Sequence, residues 1–239
     1  MKLKTKPNKS QTSSIDTEEI AKFNQLAKQW WDPEGPLKTL HDINPCRLAF
    51  IEQYMALAGS SVLDVGSGGG ILAEAMSKKG ALVSGLDADP DIIAIAHQHA
   101  SSQSLAIHYT CLGIEDFSGE SFQAITCMEM LEHVAKPEAI IQHCAQLLKP
   151  SGYLFLSTIN RTLKAYLTAV IGAEYVLKLL PKQTHDYQRF IKPSELATMV
   201  RQADLELIDL KGMDYNPFTR AASLQESVSV NYLMVCYKP

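Results

Sequence analysis

No two cysteines of this chain form a CxxC pair, and the five that occur, Cys46, Cys111, Cys127, Cys144 and Cys236, are scattered and odd in number. That pattern excludes a disulfide framework and a Cys-rich zinc site, and it suits thiols kept reduced in a cytoplasm. Positive charge is scarce too. With 22 Lys and Arg against 26 Asp and Glu, the formal net charge is -4, which excludes a surface built throughout to hold nucleic acid, so no nucleic-acid partner is expected. Long uninterrupted apolar runs are missing: the most apolar-looking stretch, 163–180, carries Lys164, Glu174 and Lys178, too many charges for a bilayer span. The basic start is followed by no apolar stretch, so residues 1–15 read as a disordered lead rather than a secretory signal.

What the chain does have is alternation. Its 239 residues suit a single α/β domain able to bury its own core. Short β-branched or apolar runs at 61–65, 82–86, 105–110, 124–127 and 153–157 are separated by helical patterns at 71–79, 92–100 and 138–148. Such an order predicts a mostly parallel, doubly wound, Rossmann-like sheet. Two further extended runs, 205–210 and 230–236, follow with no helix between them and predict an antiparallel pair at the sheet edge, for seven strands in all. Ahead of the sheet, 16–31 and 44–58 read as helices capping its mouth, the first opening on a capping box of Asp16 and Glu19. Residues 160–192 are too long for a plain connection and read as a helical insertion.

The most informative segment is Val62-Leu63-Asp64-Val65-Gly66-Ser67-Gly68-Gly69-Gly70. A strand, a turn with four glycines in five residues and a helix start let backbone approach a ligand and present free N–H groups to it. Gly66 and Gly68 are the turn's candidate contacts. Asp87 ends the next strand, where a carboxylate accepts hydrogen bonds from both ribose hydroxyls. Two positions separate S-adenosylmethionine from a nicotinamide dinucleotide. Ile71 is bulky where the dinucleotide fingerprint wants Gly or Ala. Asp64 would repel a pyrophosphate but welcomes an ammonium or sulfonium. After the third strand, Ile114 is placed to pack on an adenine and Asp116 to accept from its amino group; a plain surface turn is the alternative.

Cys127-Met128-Glu129-Met130-Leu131-Glu132-His133 follows the fourth strand and so falls at the sheet's carboxyl edge. Met128 leaves the strand toward the adenosine, with a plain core methionine as the other reading. Attack of a phenol on a sulfonium methyl needs the phenol ionised, and a pKa near 10 leaves roughly 0.1% ionised at pH 7, a penalty of about 4 kcal/mol. His133 is the candidate base. Glu129, Glu132 and His133 at i, i+3 and i+4 would share one helical face and offer a metal-ligand set, although Mg²⁺ prefers carboxylates and water to imidazole. Alternatively, Glu132 and His133 only open a helix or hold loops.

In sum these residues resemble the ubiquinone-biosynthesis O-methyltransferases. The resemblance runs from about Phe23 to Tyr232 and is carried by Trp30-Trp31-Asp32, His41-Asp42-Ile43-Asn44-Pro45-Cys46-Arg47, the glycine loop, the Cys127 to Val134 run, Ser157-Thr158-Ile159-Asn160-Arg161, Thr184-His185-Asp186, Phe190-Ile191-Lys192-Pro193, Tyr215-Asn216-Pro217 and Val230-Asn231-Tyr232. It implies S-adenosylmethionine-dependent methylation of a ring hydroxyl on a polyprenylated catechol and on demethylubiquinol. It also implies cofactor contacts at Arg47, Gly66, Asp87 and Met128, and Mg²⁺ at Glu129, Glu132 and His133. Read alone, Arg47 would pass for a solvated helix residue. Ser67 departs from the family, which generally has Cys there.

A prenylated substrate lives in the bilayer, so the enzyme is expected to be cytoplasmic and peripheral at the membrane's inner face. Leu163, Tyr166, Val170, Ala173, Leu177 and Leu180 recur at helical steps, which describes an amphipathic helix able to lie on a membrane surface. Packing on the core or on a second copy is the alternative. Other quinone-pathway enzymes are candidate partners. Two other functions remain open here: O-methylation of another small phenol, and a non-catalytic cofactor-binding scaffold subunit of a quinone pathway. A nicotinamide oxidoreductase is disfavoured by Asp64 and Ile71.

Overall fold

Ser61–Val65 (β1), a β-branched and apolar run buried at four of its five positions, is the spine of the fold. The computed structural model describes residues 29–165 and 187–239. Around β1 lie Leu82–Asp87 (β2), His108–Cys111 (β3), Phe122–Met128 (β4), Leu148–Ile159 (β5), Glu206–Asn216 (β6), Ala221–Gln225 (β7) and Asn231–Tyr237 (β8). They make one eight-stranded sheet in the order β3-β2-β1-β4-β5-β8-β6-β7. The first five strands are parallel; β8 joins β5 antiparallel, and β6 and β7 continue antiparallel beyond it.

The expected count of seven is therefore one short. The missing strand is β7, whose Ala-Ala-Ser-Leu-Gln sequence has no fully buried residue and so no apolar alternation to read. It is recruited by β6, which outruns the predicted 205–210 by six residues and turns back on it.

The flanking helices are Lys38–Glu52 (α1), Ile71–Lys78 (α2), Pro90–Ser102 (α3), Pro137–Leu147 (α4) and Pro193–Gln202 (α5). Three of them open on proline, whose fixed φ and missing N–H suit a first turn. Asp89 caps α3, its carboxylate accepting from the amides of Asp91 at 2.8 Å and Ile92 at 3.3 Å. The predicted helix at 44–58 is displaced. Asn-Pro reads as a helix start, yet α1 runs through Pro45 from Lys38 and stops at Glu52. The lost backbone bond at Pro45 is offset by burial of Ile43, Cys46, Phe50 and Ile51 on the same helix. The predicted helix at 16–31 and most of the 160–192 insertion lie outside the described residues.

Side-chain alternation along the strands divides the core. Leu63, Val65, Ile125 and Cys127 pack with Ile140, Leu196 and Val200 on the α4 and α5 side. Val62, Ala124, Met128, Phe155 and Leu233 pack with Phe50, Met76 and Ala96 on the side of α1, α2 and α3. The strand order turns about β1: the chain moves outward through β2 and β3, then returns to place β4 on β1's other side. A crevice opens at such a reversal, beyond the carboxyl ends of β1 and β4.

One packing constraint can be tested here. Gly85 in β2 is paired in register with Tyr109 of β3, and a β-carbon at Gly85 would come within 2.5 Å of the Tyr109 ring. Gly85→Ala should cost about 1–3 kcal/mol by overpacking, seen as a lowered midpoint in thermal unfolding. Adding Tyr109→Leu should recover part of the loss; an unchanged midpoint in the single variant would contradict the packing.

Candidate active site

The turn after β1 is built on three glycines of positive φ, Gly66 at 70°, Gly68 at 53° and Gly70 at 90°. A left-handed backbone of this kind disfavours any residue with a β-carbon. Their bare faces are filled by the chain's own side chains: β-carbons would meet Met130 at Gly66, Trp30 at Gly68 and Gly69, and the Tyr109 hydroxyl at Gly70. The glycines thus let neighbouring side chains close on the loop, which adds to the expected role of admitting a ligand.

Two acids face the turn. Asp87 ends β2 and accepts the Gly68 amide on Oδ2 at 2.9 Å and the Asp89 amide on Oδ1 at 3.0 Å. Burial raises its pKa, and these backbone donors pull it back. Asp64 of β1 is 3% exposed and accepts from the Thr126 hydroxyl at 2.7 Å. Burial lifts its carboxyl to about 7, against the opposing pull of the Thr126 hydrogen bond and the Arg47 charge.

Arg47 lies on α1, 5% exposed, ion-paired to Glu129, and its buried Nε carries no hydrogen-bond partner. This burial has no signature in the sequence, because α1 could not be known to fold its polar face onto the sheet edge. Glu129 reaches Arg47 through its own backbone. At the end of β4 its φ is +48°, which breaks the strand's alternation, while its amide is held by the Ser157 carbonyl at 3.1 Å and hydroxyl at 2.9 Å. Burial raises the Glu129 pKa and Arg47 opposes it.

Met128, the last residue of β4, is 8% exposed beside Phe50 and Ile51 in the α1-side core. Ile114, in a short 3₁₀ turn after β3, is 2% exposed and belongs to the opposite core with Leu86 and Leu131, while Asp116 stands exposed. Arg47, Asp64, Met128 and Glu129 therefore converge on one side of the sheet's carboxyl edge, next to the turn and Asp87. Ile114 is sequestered on the other side.

The proposed metal set is corrected by the backbone. No continuous helix runs from Glu129 to His133: Glu129 is left-handed, and only Leu131–His133 forms a 3₁₀ turn. Glu129 turns to Arg47. Glu132 is 3% exposed and accepts from the Thr158 hydroxyl at 2.8 Å. His133 is half-buried at the end of the 3₁₀ turn. Among the described residues no group of three or more His, Cys, Asp or Glu side chains is arranged to hold a metal ion. Glu129, Glu132 and His133 therefore do not form one ligand set for Mg²⁺.

Comparison with known proteins bears on the identity of the crevice. A family model described as a methyltransferase domain matches residues 40–210. The ubiquinone biosynthesis O-methyltransferase of Chromobacterium violaceum is 52% identical over 225 residues, covering 93% of this chain and 97% of that protein. The Coxiella burnetii protein of the same name is 52% identical over 222 residues, with 92% and 95% covered. The chain belongs to the ubiquinone biosynthesis O-methyltransferase family. Among solved structures, magnesium protoporphyrin IX methyltransferase of Synechocystis with bound SAH superposes with a TM-score of 0.68 at 19% identity, covering 91% of this chain and 94% of that one. The cyclase SpnF also matches, with a TM-score of 0.62 at 16% identity over 82% of this chain and 80% of its own. At such identities only the fold is shared, and the fold serves more than one chemistry.

Of the residues expected to contact the cofactor, Arg47, Gly66, Gly68, Asp87 and Met128 gather at the crevice. The residues that sequence reasoning missed are Thr126, Ser157 and Thr158, each a hydroxyl supporting a site carboxylate or its backbone. Their signal was weak: they stand inside strands, where a hydroxyl is otherwise unremarkable.

The raised Asp64 pKa gives a signed prediction. In the unfolded chain aspartate ionises near 3.9, whereas the folded state holds the proton up to about 7. Across that window the folded state binds the extra proton, so this group's contribution to stability is full below 3.9 and is lost as pH rises through 7. Asp64→Asn removes the effect while keeping an acceptor for Thr126. The melting temperature of the variant relative to wild type should climb from pH 4 to pH 8; a difference independent of pH would contradict the assignment.

Proposed function

We propose that this chain is an S-adenosylmethionine-dependent O-methyltransferase acting on a ring hydroxyl of a polyprenylated catechol and of demethylubiquinol in ubiquinone biosynthesis. The carrying observation is the convergence of buried Arg47, Asp64 and Glu129 with Asp87 and the glycine turn at the strand-order reversal. S-adenosylmethionine supplies a methyl group on a positively charged sulfur. The charges fit such a ligand, which bears one carboxylate, one ammonium and one sulfonium: the Arg47 guanidinium, with its Nε still to be paired, matches the first, and the acids match the cations.

Roles follow from position. Asp87 holds the ribose, Arg47 the amino-acid carboxylate, the Gly66 and Gly68 backbone the chain between them, and Met128 the adenosine. Ile114, buried with Leu86 and Leu131, packs on the adenine only once the 3₁₀ turn opens. His133 takes the proton from the ring hydroxyl as the oxygen attacks, then returns it to water. General-base assistance of this kind is worth typically about 10²–10⁴-fold.

No helix among the described residues is long and apolar enough to cross a membrane. Contact with the membrane's inner face falls instead to the 163–180 segment, whose first residue, Leu163, stands 70% exposed. Each large apolar side chain buried there would contribute about 1.5–3 kcal/mol.

The reading is tested by methyl transfer from S-adenosylmethionine to a short-chain prenyl catechol, with a tail-free catechol alongside. Turnover should favour the prenylated substrate, His133→Ala should lower kcat by about 10²-fold or more, and chelator should leave the rate unchanged. Equal turnover of the two substrates would indicate a general phenol methyltransferase, and no turnover by the purified protein a scaffold subunit. Anionic liposomes should sediment the protein, and deletion of 163–180 should abolish this; unchanged sedimentation would remove the membrane role from that segment.

A further inference from the structure

Both tryptophans of the chain, Trp30 and Trp31, lie against the glycine loop. Trp30 is 6% exposed, and its ring fills the space that β-carbons at Gly68 and Gly69 would need. Trp31 donates its indole N–H to the Gly69 carbonyl at 2.9 Å and stacks on His99 of α3 with ring centroids 3.5 Å apart and planes 7° apart. The His99 ring in turn meets the buried Glu74 carboxylate of α2 at 2.6 Å. The Trp30 carbonyl is 2.8 Å from Nε2 of His41. The segment around Trp30 and Trp31 is thus a cover over the turn, tied to it on its inner side.

Its outer side is held from the far end of the sheet. Arg220, in the turn joining β6 to β7, sends Nε and Nη2 to Asp42 of α1, with Nη2 2.9 Å from Oδ1. Nη1 pairs with Glu34, and Nη2 also donates to the Pro33 carbonyl at 2.6 Å. Tyr215 of β6 donates its hydroxyl to Asp42 at 2.7 Å. One guanidinium therefore spans the residues on both sides of the cover's exit, more than 170 positions away in sequence. Single exposed ion pairs contribute little, but a planar fork meeting several acceptors fixes geometry.

We propose that Arg220 is a positioning residue for the cofactor site: through Pro33, Glu34 and Asp42 it clamps the Trp30–Trp31 cover onto the glycine loop and so sets the affinity for an S-adenosyl ligand. The β6–β7 hairpin, which the parallel half of the sheet does not require, then serves the site from outside it. The proposal rests on the reading that the loop binds such a ligand.

Because the chain has no other tryptophan, tryptophan emission excited beyond the absorption of tyrosine reports the cover alone. Alanine at residue 220 keeps a β-carbon at the same φ of +55°, so Arg220→Ala isolates the side chain. In the full chain this variant should show red-shifted emission, greater acrylamide quenching and S-adenosylhomocysteine binding weakened about fivefold or more in calorimetry. Arg220→Lys should recover only part, because an ammonium cannot make the fork. Lys211→Ala, which removes the exposed Lys211–Glu226 pair of the same hairpin, should leave emission and affinity as in wild type. Unchanged emission and affinity in Arg220→Ala would overturn the proposal. If that variant loses its circular dichroism, Asp42→Asn takes its place: weaker binding with a native spectrum supports the clamp, and unchanged binding overturns it. Failure of the wild type to bind S-adenosylhomocysteine would instead overturn the functional reading, and the emission of Arg220→Ala would then decide whether the cover is clamped.

Discussion

A guanidinium buried among carboxylates is the interaction on which the site depends. Arg47 is one of the few buried charged groups among the described residues, and its field opposes ionisation costs at both Asp64 and Glu129. Without a cation there, two buried acids on one side of the sheet could not both approach ionisation. The pair with Glu129 in turn requires the left-handed turn at the end of β4, which the Ser157 carbonyl and hydroxyl hold in place. Helix α1, the β4 terminus and β5 are therefore coupled through one buried ion pair. This explains why α1 tolerates Pro45 within it: the helix is positioned by what its buried face meets.

Much of the fold was legible, and the reasons are local. β1 is read with the same bounds as found, because Ser-Val-Leu-Asp-Val runs straight into a glycine turn and no helix pattern competes. The other parallel strands were found with shifted ends. β3 begins at His108 rather than 105 because Leu105 and Ile107, although apolar, pack from the connection after α3 and not from the ladder. β7 was invisible, being half-exposed, paired with β6 and packed through Ala222 and Leu224 on the α1-side core. Strands of that kind are specified by their neighbours, and a single sequence carries no pattern for them.

The site was less legible than the fold. Asp64 and Asp87 were found because each occupies a fixed offset from a strand end, and strand ends can be read. Arg47 entered only through family resemblance, since its burial depends on the docking of α1 and on a carboxylate 82 positions later in the chain. The i, i+3, i+4 reading of Glu129, Glu132 and His133 failed for a definite reason: it assumed helix where the chain first makes a left-handed step. That step sends Glu129 to Arg47 and leaves Glu132 for Thr158. Spacing arguments hold only inside a continuous element.

The same sheet in SpnF belongs to a cyclase, so the order of strands does not by itself choose a reaction. What distinguishes this chain is where it places polar groups that weaken its own core. Asp64 buries a carboxyl whose ionisation the core opposes, Ser67 and Tyr109 bury hydroxyls with no hydrogen-bond partner, and Glu132 keeps one oxygen unpaired. Each of the unpaired atoms is destabilising by about 1–3 kcal/mol when left unmet, and Asp64, Ser67 and Glu132 stand at or near the carboxyl ends of β1 and β4, with Tyr109 packed on Gly70 of the same turn. A core built only for stability would spread such defects or remove them. Their concentration on one edge marks that edge as the part of the molecule shaped by a bound partner, and the partner's charges are written in the residues left to meet it.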